Sequence, residues 1–516
     1  MMPNRSTDIL FQLIHSLEKA EKRHFKLYIK RNSARQDLKI VQLFDALEKM
    51  QDYDEKILLK KLATVEKPQL ANLKAHLYKQ LLASLRLLKS ADSIDLQLHE
   101  QLDYARILYN KGLYLQSLKI LEKVKDLALE YNQESFLIQV ISLEKKIETL
   151  HITRSDINKA SILTQEALVI NERRLMRTRF SNLALQLYNW YVKHGHARNE
   201  KDENGVKAFF QKNLPPDAES NTGFYEQLYF YQSYCWYAFI RQDFLMYYRY
   251  SLKWVRLFQK HPKMVEVETG HFIKGMHNLL TANFDLRNFS KFDYYLKKFE
   301  AFATTKEANY HDNFRMQAFM YVTSAKVNNH LMKGSFDEGV KLIPEIENGL
   351  KEFELYIDRH RVLVIQYKTA MLCFGNKDYN SCIDYLQKII NGPVDLRIDL
   401  QCYARLLHLM AHYELGNDVI IESLIKSVFR FMSRMENLTV VEEEMFSFLR
   451  KNFHLPTNKL KPSLELFLQK IKHFEKNRFE TRTFAYLDII SWVESKVYDK
   501  PMGAIVREKY LNSKHR

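Results

Sequence analysis

The chain has 516 residues, 46% of them apolar and 27% charged, with only 13 Gly and 10 Pro to punctuate it. That excludes a disordered chain and an array of short strands, and it leaves helix as the natural reading. The four cysteines, Cys235, Cys373, Cys382 and Cys402, form no C-x-x-C pair, which excludes a disulfide framework and points to reduced, buried thiols in a cytoplasmic protein. No stretch approaches the roughly 18 apolar residues of a membrane-spanning helix. Asp8 stands before the short apolar run Ile9–Ile14 and no small-residue cleavage site follows it, so no signal peptide is expected.

The net charge is +16, and it is unevenly placed. Residues 1–90 hold 18 Lys and Arg against 10 Asp and Glu, residues 451–516 carry +7, and the 360 residues between them sum to +1. A field confined to the two ends is a narrower cue to a polyanion than the global pI near 9.3 suggests.

Residues 1–92 read as a basic N-terminal helical domain or cap of five helices, with breaks near Ser33, Tyr53 and Pro68. Its densest stretch is "EKAEKRHFKLYIKRNSAR", residues 18–35. At about 100° per residue, Phe25, Tyr28 and Ile29 share a narrow apolar arc. Lys19, Lys22, Arg23, Lys26 and Lys30 fill an adjoining arc, read here as one exposed strip that Glu18 and Glu21 partly compensate. These five residues are the candidate contact for a polyanion or an acidic partner. Downstream, Lys67, Asn72, Lys74 and Lys79 would lie on the third helix of a helix-turn-helix, although no glycine marks its turn.

Residues 93–436 carry an internal repeat. From Tyr114, offsets of +3, +7 and +10 reach Ser117, Leu121 and Val124, all on one helical face. The same offsets lead from Ile157 to Ala160, Thr164 and Ala167, and from Phe244 to Tyr247, Ser251 and Trp254. They lead from Phe289 to Phe292, Leu296 and Phe299, from Phe336 to Gly339, Ile343 and Ile346, and from Tyr379 to Cys382, Leu386 and Ile389. The spacing predicts hairpins of 43–47 residues, with a degenerate one at 175–215 split by the loop "GHARNEKDENG" and another at 400–435 turning at "ELGND". Pro344 should kink or restart its helix. The aromatic run "FYEQLYFYQSYCWYAFI" at 224–240 reads as packing, because its rings fall on every side of a helix. Residues 437–516 read as a C-terminal cap of about four helices, with breaks at Pro456, Pro462, Asn477 and Pro501.

The turn glycines Gly112, Gly334 and Gly375, the helix-opening Tyr114, Phe336 and Tyr379, and the small Ser117, Ala160, Gly339 and Cys382 resemble the tetratricopeptide-repeat (TPR) family. The resemblance implies an all-α fold, a right-handed superhelical array of antiparallel hairpins, over roughly residues 95–435. It departs from the family in its longer period, and in Tyr247 and Phe292, which stand where a small residue is wanted and imply looser packing there. "KAEKRHFK" and "ISWVESK" also resemble segments of uncharacterised bacterial TPR-like proteins, a resemblance that brings no activity with it.

Candidate chemistry is thin. No Gly-rich phosphate loop or G-x-S-x-G elbow occurs. His408 and His412 stand one turn apart with Cys402 nearby, but no Glu stands where a metalloprotease helix needs it, and Cys402 falls far round the helix. "DRHR" at 358–361 and "HGH" at 194–196 pair no nucleophile with a base. No catalytic, cofactor or metal set is therefore expected. The leading expectation is a non-enzymatic scaffold or adaptor that holds a peptide or helix of a partner protein in its groove. The alternative is a nucleic-acid-associated regulator that uses the basic N-terminal helices, with the array as sensor or oligomerisation module. An enzyme with a cryptic site comes third.

Overall fold

One hydrogen-bond pattern closes hairpin after hairpin in this chain. The computed structural model describes residues 8–31, 37–62, 65–89, 93–151, 158–216, 223–355, 357–394, 397–435, 438–454, 457–477, 479–480, 484 and 486–514. Among them every regular element is an α-helix or a short 3-10 turn. The chain forms two compact units, Met1–Asn171 and Glu172–Arg516.

The first unit opens with α1 (Ile9–Ser16), α2 (Lys19–Arg31), α3 (Asp37–Glu48), α4 (Glu55–Lys61) and α5 (Lys67–Lys89). Asp8 caps α1 by accepting from the Phe11 amide at 2.9 Å, which satisfies one of the free donors at a helix start. Leu10, Ile14, Phe25, Ile29, Phe44, Leu77 and Leu81 share one core. Pro68 sits in the first turn of α5, where its missing N–H costs nothing. Next come α6 (Ile94–Asn110), α7 (Tyr114–Glu130), α8 (Glu134–Leu150) and the start of α9 (Lys159–His194), around Leu102, Leu121, Val140, Ile147 and Leu163.

The second unit begins within α9 and continues with α10 (Glu200–Asn213), α11 (Phe224–Ile240), α12 (Phe244–Lys260), α13 (Met264–Val267), α14 (Thr269–Asp285), α15 (Phe289–Ala303) and α16 (Lys306–Asn309). It goes on through α17 (Asp312–Lys333), α18 (Phe336–Gly339), α19 (Ile343–Glu352), α20 (Arg359–Gly375), α21 (Tyr379–Ile390), α22 (Ile398–Glu414) and α23 (Asp418–Arg434). The last helices are α24 (Val440–Asn452), α25 (Thr457–Lys472), α26 (Ile489–Val497) and α27 (Met502–Lys514). The first helices of successive pairs, α14, α17, α20 and α22, pack one on the next, and α12, α15 and α21 each pack on their own partner and on the following helix.

The turns repeat in both units. The amide of Leu113 donates to the Leu108 carbonyl, Asp243 to Ala238, Asn288 to Asn283, Ser335 to His330, Asp378 to Cys373 and Asn417 to His412, all at 2.9–3.2 Å. The residue before each donor is left-handed: Gly112, Gln242, Arg287, Gly334, Lys377 and Gly416 have φ between 53° and 75°. This is the Schellman stop, which satisfies the last carbonyls of one helix and turns the chain into the next. All five aromatic anchors read from the sequence open their helices as expected, at Tyr114, Phe244, Phe289, Phe336 and Tyr379. The faces behind them are buried at Ser117, Leu121, Val124, Ser251, Trp254, Phe292, Phe299, Cys382 and Leu386.

Several expectations need correction. Gly375 is the last residue of α20 and not the left-handed one. It is small because a Cβ there would lie 2.4 Å from the Phe336 ring, while Lys377 makes the turn. Ala160 and Thr164 are exposed, and the buried face of that helix runs through Leu163 and Ile170, the bulkier side chains; Ile157 lies outside the described residues. The chain does turn in the polar stretch at 195–205, between α9, which runs unbroken to His194, and α10, but the loop is shorter than expected, because residues from Glu200 on already open α10. Its acids Glu200, Asp202 and Glu203 favour a helix N-terminus. Tyr247 and Phe292 are buried, Phe292 completely, so neither loosens its hairpin. Pro462 lies inside α25, whereas Pro344 restarts its helix at α19 as expected. Ser33 and Pro456 lie outside the described residues. The aromatic run of α11 is core, with Phe210 stacked on Tyr237 and Tyr234 on Tyr250, both at 4.1 Å. No described helix is long and apolar enough to cross a membrane.

Candidate functional site

Where three helices pack side by side, the residues between them are normally apolar. Along α14, α17 and α20 they are polar over several turns. Lys274 and His277 lie about one turn apart on α14, with Asp285 ending that helix. Tyr321, Ser324 and Asn328, three and four residues apart, form one face of α17. Arg361 and Lys368 lie seven apart on α20, where Asp358 caps the helix by accepting from the Arg361 amide at 3.0 Å.

The centre of the cluster is a stacked pair, His277 on Tyr321, with ring centroids 4.1 Å apart and planes 19° from parallel. The Lys274 ammonium lies 5.2 Å from the Tyr321 ring centre and the Arg361 guanidinium 5.9 Å from it. Lys368 donates to Asn328 Oδ1 at 2.8 Å and to the Ser324 hydroxyl. Burial holds His277 well below its ordinary pKa, and Lys274, Lys368 and Arg361 push it the same way, so its imidazole is neutral. Burial would raise the Tyr321 phenol, but Lys274 and Arg361 more than reverse that and lower it. Burial takes Lys368 down to about 7, against the opposing charge of Asp285. It takes the Asp285 carboxyl up to about 7, against Arg287 and Lys368.

Charge is poorly balanced here. No carboxylate among the described residues lies within ion-pair distance of Lys274 or Lys368, and the one beside Arg361 is Asp358, 3.3 Å from its Nε. The neighbouring Arg397 is different. Its guanidinium grips Asp399 through Nε at 2.8 Å and Nη2 at 2.9 Å, and Nη2 also reaches the Tyr486 hydroxyl. Grouped, half-buried titratable side chains with shifted pKa values are a common mark of a functional site.

The residues singled out in the sequence are dispersed by comparison. On α2, Lys22 pairs with Glu48 at 3.4 Å, and Lys26 pairs with Asp45 at 2.8 Å and Glu48 at 3.1 Å. Lys19, Arg23 and Lys30 are exposed. The expected single strip is thus divided, because α3 presents two acids to its middle. On α5, Lys74 is taken up by Asp8 and by the Tyr53 hydroxyl, Lys67 lies 4.0 Å from Glu55, and Asn72 and Lys79 are exposed. His408 and His412 touch edge to face at 4.5 Å. Burial, His412 and Arg405 take His408 down to about 4, Asn417 bonds His412 Nδ1, and Cys402 is fully buried. No group of His, Cys, Asp and Glu suited to a metal occurs among the described residues. His196 of "HGH" bonds the Phe239 carbonyl at 2.8 Å.

Of the cluster, the sequence singles out only Arg361, within "DRHR", and as a motif without a nucleophile–base pair. No family model, no curated protein and no solved structure matches this chain.

Proposed function

We propose that the chain is a non-enzymatic scaffold of TPR-like hairpins that holds an acidic segment of a partner protein along the face of α14, α17 and α20. The side-by-side row α14, α17, α20 and α22, bridged by α15 and α21, favours a curved array with these helices on its inner side. The observation that carries the reading is the set Lys274, Arg361 and Lys368 on that face, two of them without a carboxylate within ion-pair distance. Uncompensated like charges are costly in a folded state, and they select a partner of opposite sign.

Selection of peptides from a random library on the immobilised chain tests this. Acidic sequences are expected to be enriched, and Lys274→Glu with Arg361→Glu should weaken them at least ~100-fold, since close charge pairs are worth several kcal/mol. Enrichment of no sequence class, or binding indifferent to the two reversals in a protein that still melts normally, overturns the proposal.

A further inference from the structure

Helices α12 and α15, which the proposed peptide face does not include, carry a surface of a different kind. On α12, Arg249, Lys253, Arg256 and Lys260 follow one another at intervals of four, three and four residues, so they share one helical face, and all four are exposed. Not one acid occurs between Phe244 and Lys260. On α15 the same spacing puts Lys291, Tyr294, Tyr295 and Lys298 on one face, with Tyr294 53% exposed. The two faces meet. The Lys291 ammonium donates to the Tyr248 hydroxyl of α12 at 2.9 Å and lies 4.9 Å from the centre of that ring. The charges of Arg256 from α12 and Lys298 from α15 both act on the Tyr295 hydroxyl. Cations and rings alternate across the seam, with Lys253 at 4.7 Å from the Tyr250 ring centre and Lys298 at 4.5 Å from that of Tyr294. Among the described residues no carboxylate lies within ion-pair distance of Arg249, Lys253, Arg256, Lys260, Lys291 or Lys298. Exposed lysines elsewhere are answered on their own helix or its neighbour, Lys426 by Glu422 and Lys326 by Glu345. Like charges one turn apart repel, and ordinary solvated faces mix the two signs. We propose that the α12–α15 face binds single-stranded nucleic acid, its cations following the phosphates and its tyrosines stacking on unpaired bases. An acidic peptide would engage the cations and leave the rings without a role, and a duplex keeps its bases stacked inside and offers the face only phosphates.

Fluorescence anisotropy with the full chain tests this on labelled oligouridylate and oligothymidylate of about 12 nucleotides, a span typical of such sites, with a DNA duplex of the same length and heparin as controls. The single strands should bind at least ~10-fold tighter than the duplex, because only they offer bases to the rings. Their log affinity should fall linearly with log salt, and Arg249→Gln with Arg256→Gln should flatten that slope by about 1.4, or roughly 0.7 for each lost phosphate contact. Tyr294→Ala should weaken binding at least ~5-fold and leave the slope unchanged, since a ring stacks without displacing counterions, and Tyr294→Phe should restore the affinity. All these side chains lie at the surface, and the melting temperature of each variant confirms that it folds. Tighter binding of the uridylate assigns the face to RNA and tighter binding of the thymidylate to DNA, and either supports the proposal. Equal affinity for single strands, duplex and heparin, indifferent to Tyr294→Ala, overturns it in favour of a general polyanion surface. No binding of the single strands even at low salt overturns it as well.

Discussion

Two groups of cations, one on α2 in the first unit and one across α14, α17 and α20 in the second, reverse the order in which the sequence ranks them. The α2 stretch is the most basic in the chain, yet its central Lys22 and Lys26 are answered by Asp45 and Glu48. In addition, Lys89 from α5 pairs with Glu21. The second group comes from a region with almost no net charge, and its lysines have no such partners. Cation density along a chain therefore says little about uncompensated charge. What matters is whether the neighbouring helix supplies acids, and α3 does so for α2.

Charge reversal breaks this comparison most directly. Lys274→Glu with Arg361→Glu should remove acidic-peptide binding, whereas Lys19→Glu, Arg23→Glu and Lys30→Glu together should change it less than about threefold, since exposed charges act weakly and are screened. The same α2 variant should scarcely alter retention of DNA or RNA across a salt series. A large loss of nucleic-acid binding in that variant would restore the N-terminal helices as the functional surface.

The contrast also shows what the sequence could reveal. Helix starts were legible where an aromatic follows a left-handed turn and a small residue or aromatic packs three positions later, as at Tyr114 and Tyr379. The register failed at residue 157, because Ala160 and Ala167 satisfy the same pattern as Leu163 and Ile170 and periodicity alone does not rank them. The turn between α9 and α10 was legible but drawn too long, because the first-turn acids of α10 look like a loop. The cluster was hidden because Lys274 and Arg361 are 87 positions apart and meet only through helix stacking. One trace was present. Aligned on Phe289 and Phe336, Lys274 and Tyr321 both stand 15 residues earlier, and His277 and Ser324 both stand 12 earlier, so polar residues recur where stacked helices want apolar ones.

Stability sharpens the comparison at the next level. Lys74 is a structural cation, since it neutralises Asp8, whose side chain is 10% exposed. Lys74→Met leaves that acid buried and alone, and it should cost about 3 kcal/mol by urea denaturation. Lys368→Met removes a cation that burial already disfavours. It should leave the melting temperature at pH 7 unchanged or higher, as happens when a site trades stability for binding. A loss like that of Lys74→Met would make Lys368 structural too.

The pH profile of stability separates the two buried groups. The folded Asp285 carboxyl titrates near 7 instead of near 3.8, so between those values the folded state holds the extra proton. Stability from this group is thus full below about 4 and falls as pH rises toward 7. Lys368 is shifted the other way, from 10.5 to about 7. Between those values the unfolded chain binds more protons, and stability rises with pH. The pair predicts a minimum of melting temperature close to neutrality. Asp285→Asn should flatten the acid arm and Lys368→Met the alkaline arm, and a wild-type profile without either arm would refute the assignment.

The smallest effect belongs to α2. Lys26 is raised above its ordinary pKa chiefly by its bond to Asp45, with Glu48 helping and burial opposing. Its contribution is therefore complete below about 10.5 and is lost only as pH rises through the higher folded value, so nothing changes across the neutral range. Its side chain is 39% exposed and that of Asp45 42%, so water and salt screen the pair. Lys26→Gln should cost less than about 1 kcal/mol, and less still in 1 M salt. A double-mutant cycle with Asp45→Asn measures the coupling directly. A coupling well above 1 kcal/mol would mean that α3 holds α2 in place by charge, whereas the buried contact of Phe25 with Phe44, ring centres 5.0 Å apart, already supplies that hold through packing.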